Sequence, residues 1–130
     1  MKTLVTSFLL STMILFSSFE QTSTIDAVID ALRSGNTSQL FGYFDDNVEL
    51  TLPDKSDSYS KAQAQLIVKD FFNNNGVQGF ELKHKGGDTQ GAHFCIGTLK
   101  TSTGNFRTNV FMKLKSGKEV IKEIRFQSIE

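Results

Sequence analysis

The chain has 130 residues with 14 basic and 14 acidic side chains, a length that fits one domain. Its lysines and arginines are scattered among acidic and polar residues, which excludes the clustered basic surface that binds nucleic acid. Its single cysteine, Cys95, excludes an intramolecular disulfide, so core packing by the twelve phenylalanines and the aliphatic residues must hold the fold together.

The N-terminal segment has the composition of a secretory signal peptide. Lys2 is the only charged residue before Glu20, and an apolar stretch at 4–16 lies between them. That stretch is shorter than the roughly 20 residues of a transmembrane helix. We therefore expect residues 1–19 to be removed on export, which leaves 20–130 as one periplasmic or secreted domain without a stable membrane anchor. A buried first helix or an uncleaved anchor is the alternative.

Three helices are predicted before residue 77. The first begins after Ser23 and ends at Gly35, where a glycine can adopt the left-handed conformation. A short second helix surrounds Leu40. The third begins at a capping box of Ser60 and Gln63. The first and third helices each have one apolar face. In the first helix it is formed by Ile25, Val28, Ile29 and Leu32. In the third helix it is formed by Ala64, Ile67, Val68, Phe71 and Phe72.

Five strands are predicted from alternating apolar and polar residues. One precedes the third helix and ends at Pro53, and the polar residues 54–59 are predicted to form a loop. Gly97 is predicted to mark a bulge or a sharp bend. Four strands follow the third helix, near 80–85, 92–101, 106–114 and 120–126, and their short turns predict an antiparallel meander.

This order predicts an α+β fold, with three N-terminal helices packed on a curved, mainly antiparallel sheet in a cone-like shape. Residues 40–50 (LFGYFDDNVEL) resemble the nuclear transport factor two-like superfamily, which includes ketosteroid isomerase and scytalone dehydratase. Residues 96–99 and 124–126 further resemble a group of small exported bacterial proteins classed as a domain of unknown function. The resemblance implies the cone-shaped fold and leaves function open, because that fold hosts enzymes, transport adaptors and ligand-binding modules.

No catalytic residue, metal site or cofactor is predicted. The resemblance implies that an isomerase would carry its general-base aspartate directly after a Val-Glu pair, where this chain has Leu50. Two histidines and one cysteine lack the spacing of metal ligands. The adjacent carboxylates Asp45 and Asp46 are expected to bind nearby backbone amides at the turn into the first strand. A lyase or isomerase that uses His84 or Asp70 is the competing enzyme hypothesis.

A non-enzymatic binding module of the cell envelope is the leading hypothesis. By alternation His84 shares a face with Phe80 and Leu82, so it should point toward the core or a concave pocket. Such a pocket is predicted to hold a small apolar ligand. The residues assigned to it are Tyr43, Tyr59, Phe72, His84 and Cys95.

The opposite face of the sheet is the second predicted binding surface. Its mixture of aromatic, aliphatic and charged side chains is typical of an interface. A homodimer is therefore predicted through Arg107, Phe111, Lys113, Ile121 and Arg125. A third hypothesis is a structural or assembly protein whose cone is filled by its own phenylalanine side chains.

Overall fold

The computed structural model describes residues 23–129, so the predicted signal peptide lies outside the described part. Within 23–129, each helix is too short and too polar to cross a bilayer. The elements are α1 (Thr24–Ser34), α2 (Thr37–Phe41), β1 (Phe44–Leu52), β2 (Lys55–Ser60), α3 (Lys61–Asn75), β3 (Val77–Gly87), β4 (His93–Thr101), β5 (Gly104–Lys115) and β6 (Lys118–Ser128).

The strands form one sheet in the order β2-β1-β6-β5-β4-β3. The predicted meander is confirmed as β3 to β6, and β1 joins it in parallel beside β6. The α+β class and the mainly antiparallel sheet are therefore confirmed. Helix α1 packs against β3 and β4, and α3 packs against β1 and β2. We call the face that the helices cover the inner face and the other the outer face.

Strand β2 corrects the predicted loop at 54–59. It pairs with β1 in an antiparallel hairpin, from Leu52 opposite Lys55 to Asn47 opposite Ser60. Five of its six residues are exposed and Tyr59 alone is half-buried, so no apolar alternation marks it in the sequence. Backbone pairing with β1 holds the strand, and its polar side chains protect a free sheet edge.

The helix ends follow the predicted caps. Gly35 and Gly76 end α1 and α3 with φ angles of 66° and 67°, in the left-handed region. Ser60 Oγ accepts a hydrogen bond from the Gln63 amide at 3.3 Å, which completes the predicted capping box at the start of α3. These caps fix where α3 lies over the inner face.

Aromatic rings fill the space between α3 and the sheet. The ring of Phe71 lies 4.7 Å from that of Phe126 and 5.0 Å from that of Phe106, measured between centroids. Phe72 lies 5.9 Å from Phe126, which is completely buried. Such offset and edge-to-face contacts add to the stability that burial provides.

Two bulges reverse the alternation that the sequence predicts. In β3, Leu82 pairs with Gly97 and His84 with Ile96, so Lys83 is an extra residue. The predicted inward orientation of His84 is therefore wrong, and this residue is exposed on the outer face. In β6, Lys122 is the extra residue. Ile121, predicted on the outer face, is instead buried in the core.

Gly97 lies in β4 directly against β3. A Cβ at this position would overlap the carbonyl oxygen of Glu81 and the ring of Phe80. The bulge predicted at Gly97 lies instead on the opposite strand, between Leu82 and His84 of β3, and Gly97 is required because the β3 backbone and the Phe80 ring leave no room for a side chain.

Asp45 connects β1 to the β5–β6 hairpin. Its carboxylate is 4% exposed and accepts hydrogen bonds from Lys115 Nζ at 2.8 Å and from Lys122 Nζ at 2.6 Å. The hydrogen bonds from these two lysines hold the pKa of Asp45 well below its usual range, and the larger effect comes from Lys115. The two lysines are distant in sequence, so the expectation of a purely local backbone role for Asp45 misses its main partners.

We expect Asp45→Asn to lower the free energy of unfolding by about 2 kcal/mol at neutral pH, because hydrogen bonds between charged groups are lost. The folded-state pKa lies below the unfolded value, so the stabilisation by Asp45 is complete above the unfolded pKa. It is lost as the pH falls through the folded pKa. The difference in the free energy of unfolding between wild type and variant, measured by urea denaturation, should therefore shrink below about pH 4.

Asp46→Asn is the control, since Asp46 is 86% exposed and its substitution should have no measurable effect on the free energy of unfolding. A pH-independent difference would contradict this assignment.

Candidate functional site

The five predicted ligand-binding residues lie in different parts of the molecule. Phe72 and Cys95 belong to the core, and Tyr59 packs half-buried against it. Tyr43 borders a surface recess near the β5–β6 turn, and His84 is exposed on the outer face. The structure therefore does not bring these side chains together as one pocket.

Cys95 is inert in this environment. The side chain is fully buried, and burial raises the pKa of its thiol to about 12. A thiol in that state does not ionise near neutral pH and is a poor nucleophile. Cys95 therefore acts as a small apolar core residue.

A recess lies where the β1–β2 turn meets the last turns of α3. Its volume is about 370 Å³. We call it the mouth recess, and it is lined by Leu52, Asp54, Lys55, Ile67, Asp70, Phe71, Asn74 and Asn75. Five of these eight residues are polar or charged, so this recess differs from the apolar pocket that the sequence predicts.

The outer face carries a small apolar centre. Phe94 pairs with Phe111 across β4 and β5, with ring centroids 6.3 Å apart, and Ile96 lies two residues along β4. We call these three residues the outer patch. Phe111 is 37% exposed, and the other two are half-buried without any covering element in the part described. The outer patch is thus an apolar surface on a face that is otherwise polar.

Polar side chains surround the outer patch. Asn109 pairs with Ile96 and Arg125, and Glu123 pairs with Phe111. The Arg125 guanidinium contacts the Glu123 carboxylate on this face. Within residues 23–129, the Oδ1 atom of Asn109 is buried and accepts no hydrogen bond. This oxygen is a hydrogen-bond acceptor that the isolated chain leaves unused.

An apolar recess of about 270 Å³ lies beside the outer patch. His93 lies at its border, and Glu119 Oε1 approaches His93 Nδ1 to 2.5 Å without the alignment of a hydrogen bond. The recess is lined by Gly87, Asp88, Ala92, His93, Phe94, Phe111 and Met112. A recess of this kind, next to exposed aromatic rings, can accept an apolar anchor side chain from a partner.

Among the described residues, no group of three or more His, Cys, Asp or Glu side chains is arranged to hold a metal ion. Two side chains are candidates for acid–base chemistry, the carboxylate of Asp70 and the imidazole of His84. Both are exposed, Asp70 on α3 at the mouth recess and His84 on the outer face of the sheet. Neither is enclosed in a cavity that would exclude water.

Comparison with known proteins places the chain in a family. Residues 25–127 match the model of a domain of unknown function, DUF4783. The chain belongs to the DUF4783 family. The crystal structure of a DUF4783 protein from Bacteroides ovatus is similar at 36% identity with a TM-score of 0.75, covering 80% of this chain and 94% of that one. A DUF4783 protein from Bacteroides uniformis is similar at 34% identity with a TM-score of 0.79, covering 83% and 99%.

The wider comparison supports the superfamily resemblance at the level of fold. An NTF2-like protein of unknown function from Burkholderia xenovorans is 15% identical, with a TM-score of 0.60 over 82% of this chain and 81% of that one. At this identity the likeness shows the fold alone. A search of curated proteins gave no significant match. DUF4783 is thus shown to have an NTF2-like fold.

Sequence reasoning missed residues in both surfaces. Phe94 and Ile96 alternate with the buried residues Cys95 and Gly97, so the apolar character of both faces of β4 was the signal for the outer patch. The mouth recess depends on the pairing of β2 with β1, and the polar residues of β2 carry no alternation that predicts this pairing.

Proposed function

We propose that this DUF4783 protein is an exported, non-enzymatic binding module that acts through the outer face of its sheet, where a second copy of the chain docks. The outer patch carries this proposal, because it is an apolar surface with a polar rim. The inner face is covered by helices and its own phenylalanine rings. The proposal therefore combines the predicted homodimer with the predicted filled cone.

Charges of both signs around the outer patch favour a second copy over a partner of one charge. Arg107 and Arg125 lie on this face together with Glu49 and Glu123. In a twofold arrangement, carboxylates of one copy can face arginines of the other while the apolar patches meet. A uniformly acidic or basic partner would leave like charges opposed.

Three observations support a non-enzymatic role. Leu50 is buried at the position where the resemblance places an isomerase base. His84 and Asp70, the residues of the competing enzyme hypothesis, are both exposed, and they lie in separate parts of the molecule, His84 on the outer face and Asp70 at the mouth recess. The ring cluster occupies the space in which an apolar substrate would have to lie.

The variant Phe111→Glu tests the interface. We expect the wild type to sediment as a dimer at micromolar concentrations. In the variant, the charge buried at the interface should raise the dissociation constant of the dimer by more than about tenfold. Leu66→Glu is the matched control: Leu66 is 64% exposed on α3, away from the outer face, so this change should leave the dimer intact.

Sedimentation velocity over a range of concentrations measures both effects. A wild-type protein that stays monomeric at millimolar concentration would overturn the second copy as partner. A dimer that Phe111→Glu and Leu66→Glu weaken equally would overturn the outer patch as its interface.

The export part of this proposal rests on residues 1–19, with one cation, an uninterrupted apolar stretch and no acidic residue. It assigns the mature chain to the periplasm or the medium. There the buried position of Cys95 protects its thiol from oxidation and from intermolecular pairing.

A further inference from the structure

The geometry points to a second binding site, the mouth recess, which takes a neutral polyhydroxylated small molecule such as a saccharide unit. This site is formed by α3 and the β1–β2 turn and uses none of the outer-patch residues. It therefore does not rest on the proposed dimer.

The walls of the mouth recess are held in place before any ligand arrives. On one side, Leu52 pairs with Lys55 across the β1–β2 turn. On the opposite face of the same hairpin, Thr51 Oγ1 lies 3.0 Å from Ser56 Oγ, and this contact holds the turn from outside the recess. On the other side, Asn75 Nδ2 donates to the Phe71 carbonyl oxygen at 2.7 Å. A recess with a preformed shape is typical of small-molecule sites, because ligand binding then orders few side chains.

Asn75 is also fixed from the sheet. Thr103 Oγ1, in the β4–β5 turn, donates to Asn75 Oδ1 at 2.6 Å. Both ends of this carboxamide are thereby occupied by protein groups. Asn75 acts as a rigid wall, and the neighbouring polar side chains are left to contact a ligand.

The floor of the mouth recess is apolar and rigid. The half-buried ring of Phe71 is held by Phe106 and Phe126, and Ile67 and Leu52 extend the apolar surface. An aromatic ring at the base of a polar recess suits the C–H face of a sugar ring, since an aromatic side chain offers apolar contact of fixed orientation.

Four polar side chains at the rim are free to bind. Within residues 23–129, the side chains of Asp54, Lys55, Asp70 and Asn74 make no hydrogen bond or ion pair with another residue. The carboxylates accept, the ammonium donates, and the carboxamide does both. Hydroxyl groups are both donors and acceptors, so a polyol can satisfy all four.

Other ligand classes fit this lining less well. The two carboxylates repel an anion, and the positive charge of Lys55 offsets half of their attraction for a cation. In the described part, no third His, Cys, Asp or Glu side chain joins Asp54 and Asp70. An apolar molecule would bury carboxylates and a carboxamide without partners. A neutral ligand with several hydroxyl groups leaves no such conflict.

Titration of the isotope-labelled protein, followed by amide chemical shifts, tests the site. The probes are glucose, galactose and N-acetylglucosamine, with inorganic phosphate and spermidine as charged comparisons. We expect saturable shifts at residues 52–55 and 67–75 with at least one sugar. Asn74→Ala should weaken that binding by about tenfold, the loss of one good hydrogen bond.

Asn73→Ala is the matched control, because Asn73 is exposed in the same helical turn but does not line the recess. It should leave the affinity unchanged. Asp70→Asn is a second test variant at an exposed position and should also weaken binding. Unchanged thermal unfolding of all three variants shows that each is folded.

Any of four results would overturn the assignment, and the first three concern the sugars and the variants. These are an absence of saturable shifts with all three sugars, shifts that lie outside the recess, and equal losses for Asn73→Ala and Asn74→Ala. Tighter binding of phosphate or spermidine than of any sugar would also overturn it, because the site would then select charge.

Discussion

Replacing Phe126 with alanine should lower the free energy of unfolding by about 4 kcal/mol. Phe126 is completely buried, and its ring contacts both Phe71 and Phe72 of α3. Truncation removes apolar burial and leaves a cavity at the centre of the ring cluster. Because α3 and β6 are far apart in sequence, the change also loosens the contact that closes the cone. Urea denaturation of the wild type and the variant measures the difference.

Phe126→Leu is the control for this prediction. It keeps most of the apolar volume and loses the aromatic contacts, so we expect a loss of about 1.5 kcal/mol. A loss below about 1 kcal/mol for Phe126→Ala would show that the interior relaxes around the missing ring. In that case the cone is not tightly filled, and an apolar ligand in it becomes the better interpretation.

Replacing Gly97 with alanine should destabilise the protein by about 3 kcal/mol, near the upper end for overpacking. The added methyl group would overlap the Glu81 carbonyl oxygen and the Phe80 ring. The ring can turn, but the carbonyl belongs to the β3 backbone and is held by the sheet. Thermal or urea unfolding detects the loss, and we expect the pairing of β3 with β4 to weaken first.

Gly79→Ala provides the matched comparison. Gly79 lies in β3, and a Cβ there would meet no atom within 4 Å. Its backbone is not in the left-handed region, so alanine should be neutral or stabilise slightly by restricting the unfolded chain. Equal destabilisation by the two substitutions would contradict the close approach at Gly97.

The helices were predictable because their signals are local. Ser60 and Gln63 form the capping box within four residues, and Gly35 and Gly76 end their helices through their own backbone conformation. Strand β2 was not predictable, since its polar residues show no alternation and its pairing with β1 provides the stability. The parallel joining of β1 to β6 also depends on tertiary packing rather than on local sequence.

The bulges explain the errors in the predicted sites. Alternation counted from Leu82 assigns His84 to the inner face, and alternation counted from Ile124 assigns Ile121 to the outer one. Both assignments fail because an extra lysine lies between the two residues in each strand. An extra residue breaks the alternation between the parts of the strand on its two sides. Neither Lys83 nor Lys122 differs in kind from the other strand lysines, so no signal in the sequence marks them. The other residues of the predicted interface are exposed as predicted, because no extra residue separates them from the buried residues of the same strand from which the alternation is counted: Arg107, Phe111, Lys113 and Arg125.

Native mass spectrometry of the mature protein, purified gently from its own compartment, tests the central claim most directly. That claim is a filled cone whose outer face binds a second copy. Under native conditions we expect the mass of a dimer that retains no apolar molecule. After denaturation we expect the mass of a single chain from which residues 1–19 have been removed. A monomer that carries an apolar molecule, released on denaturation, would contradict the claim and assign the binding function to the inside of the cone.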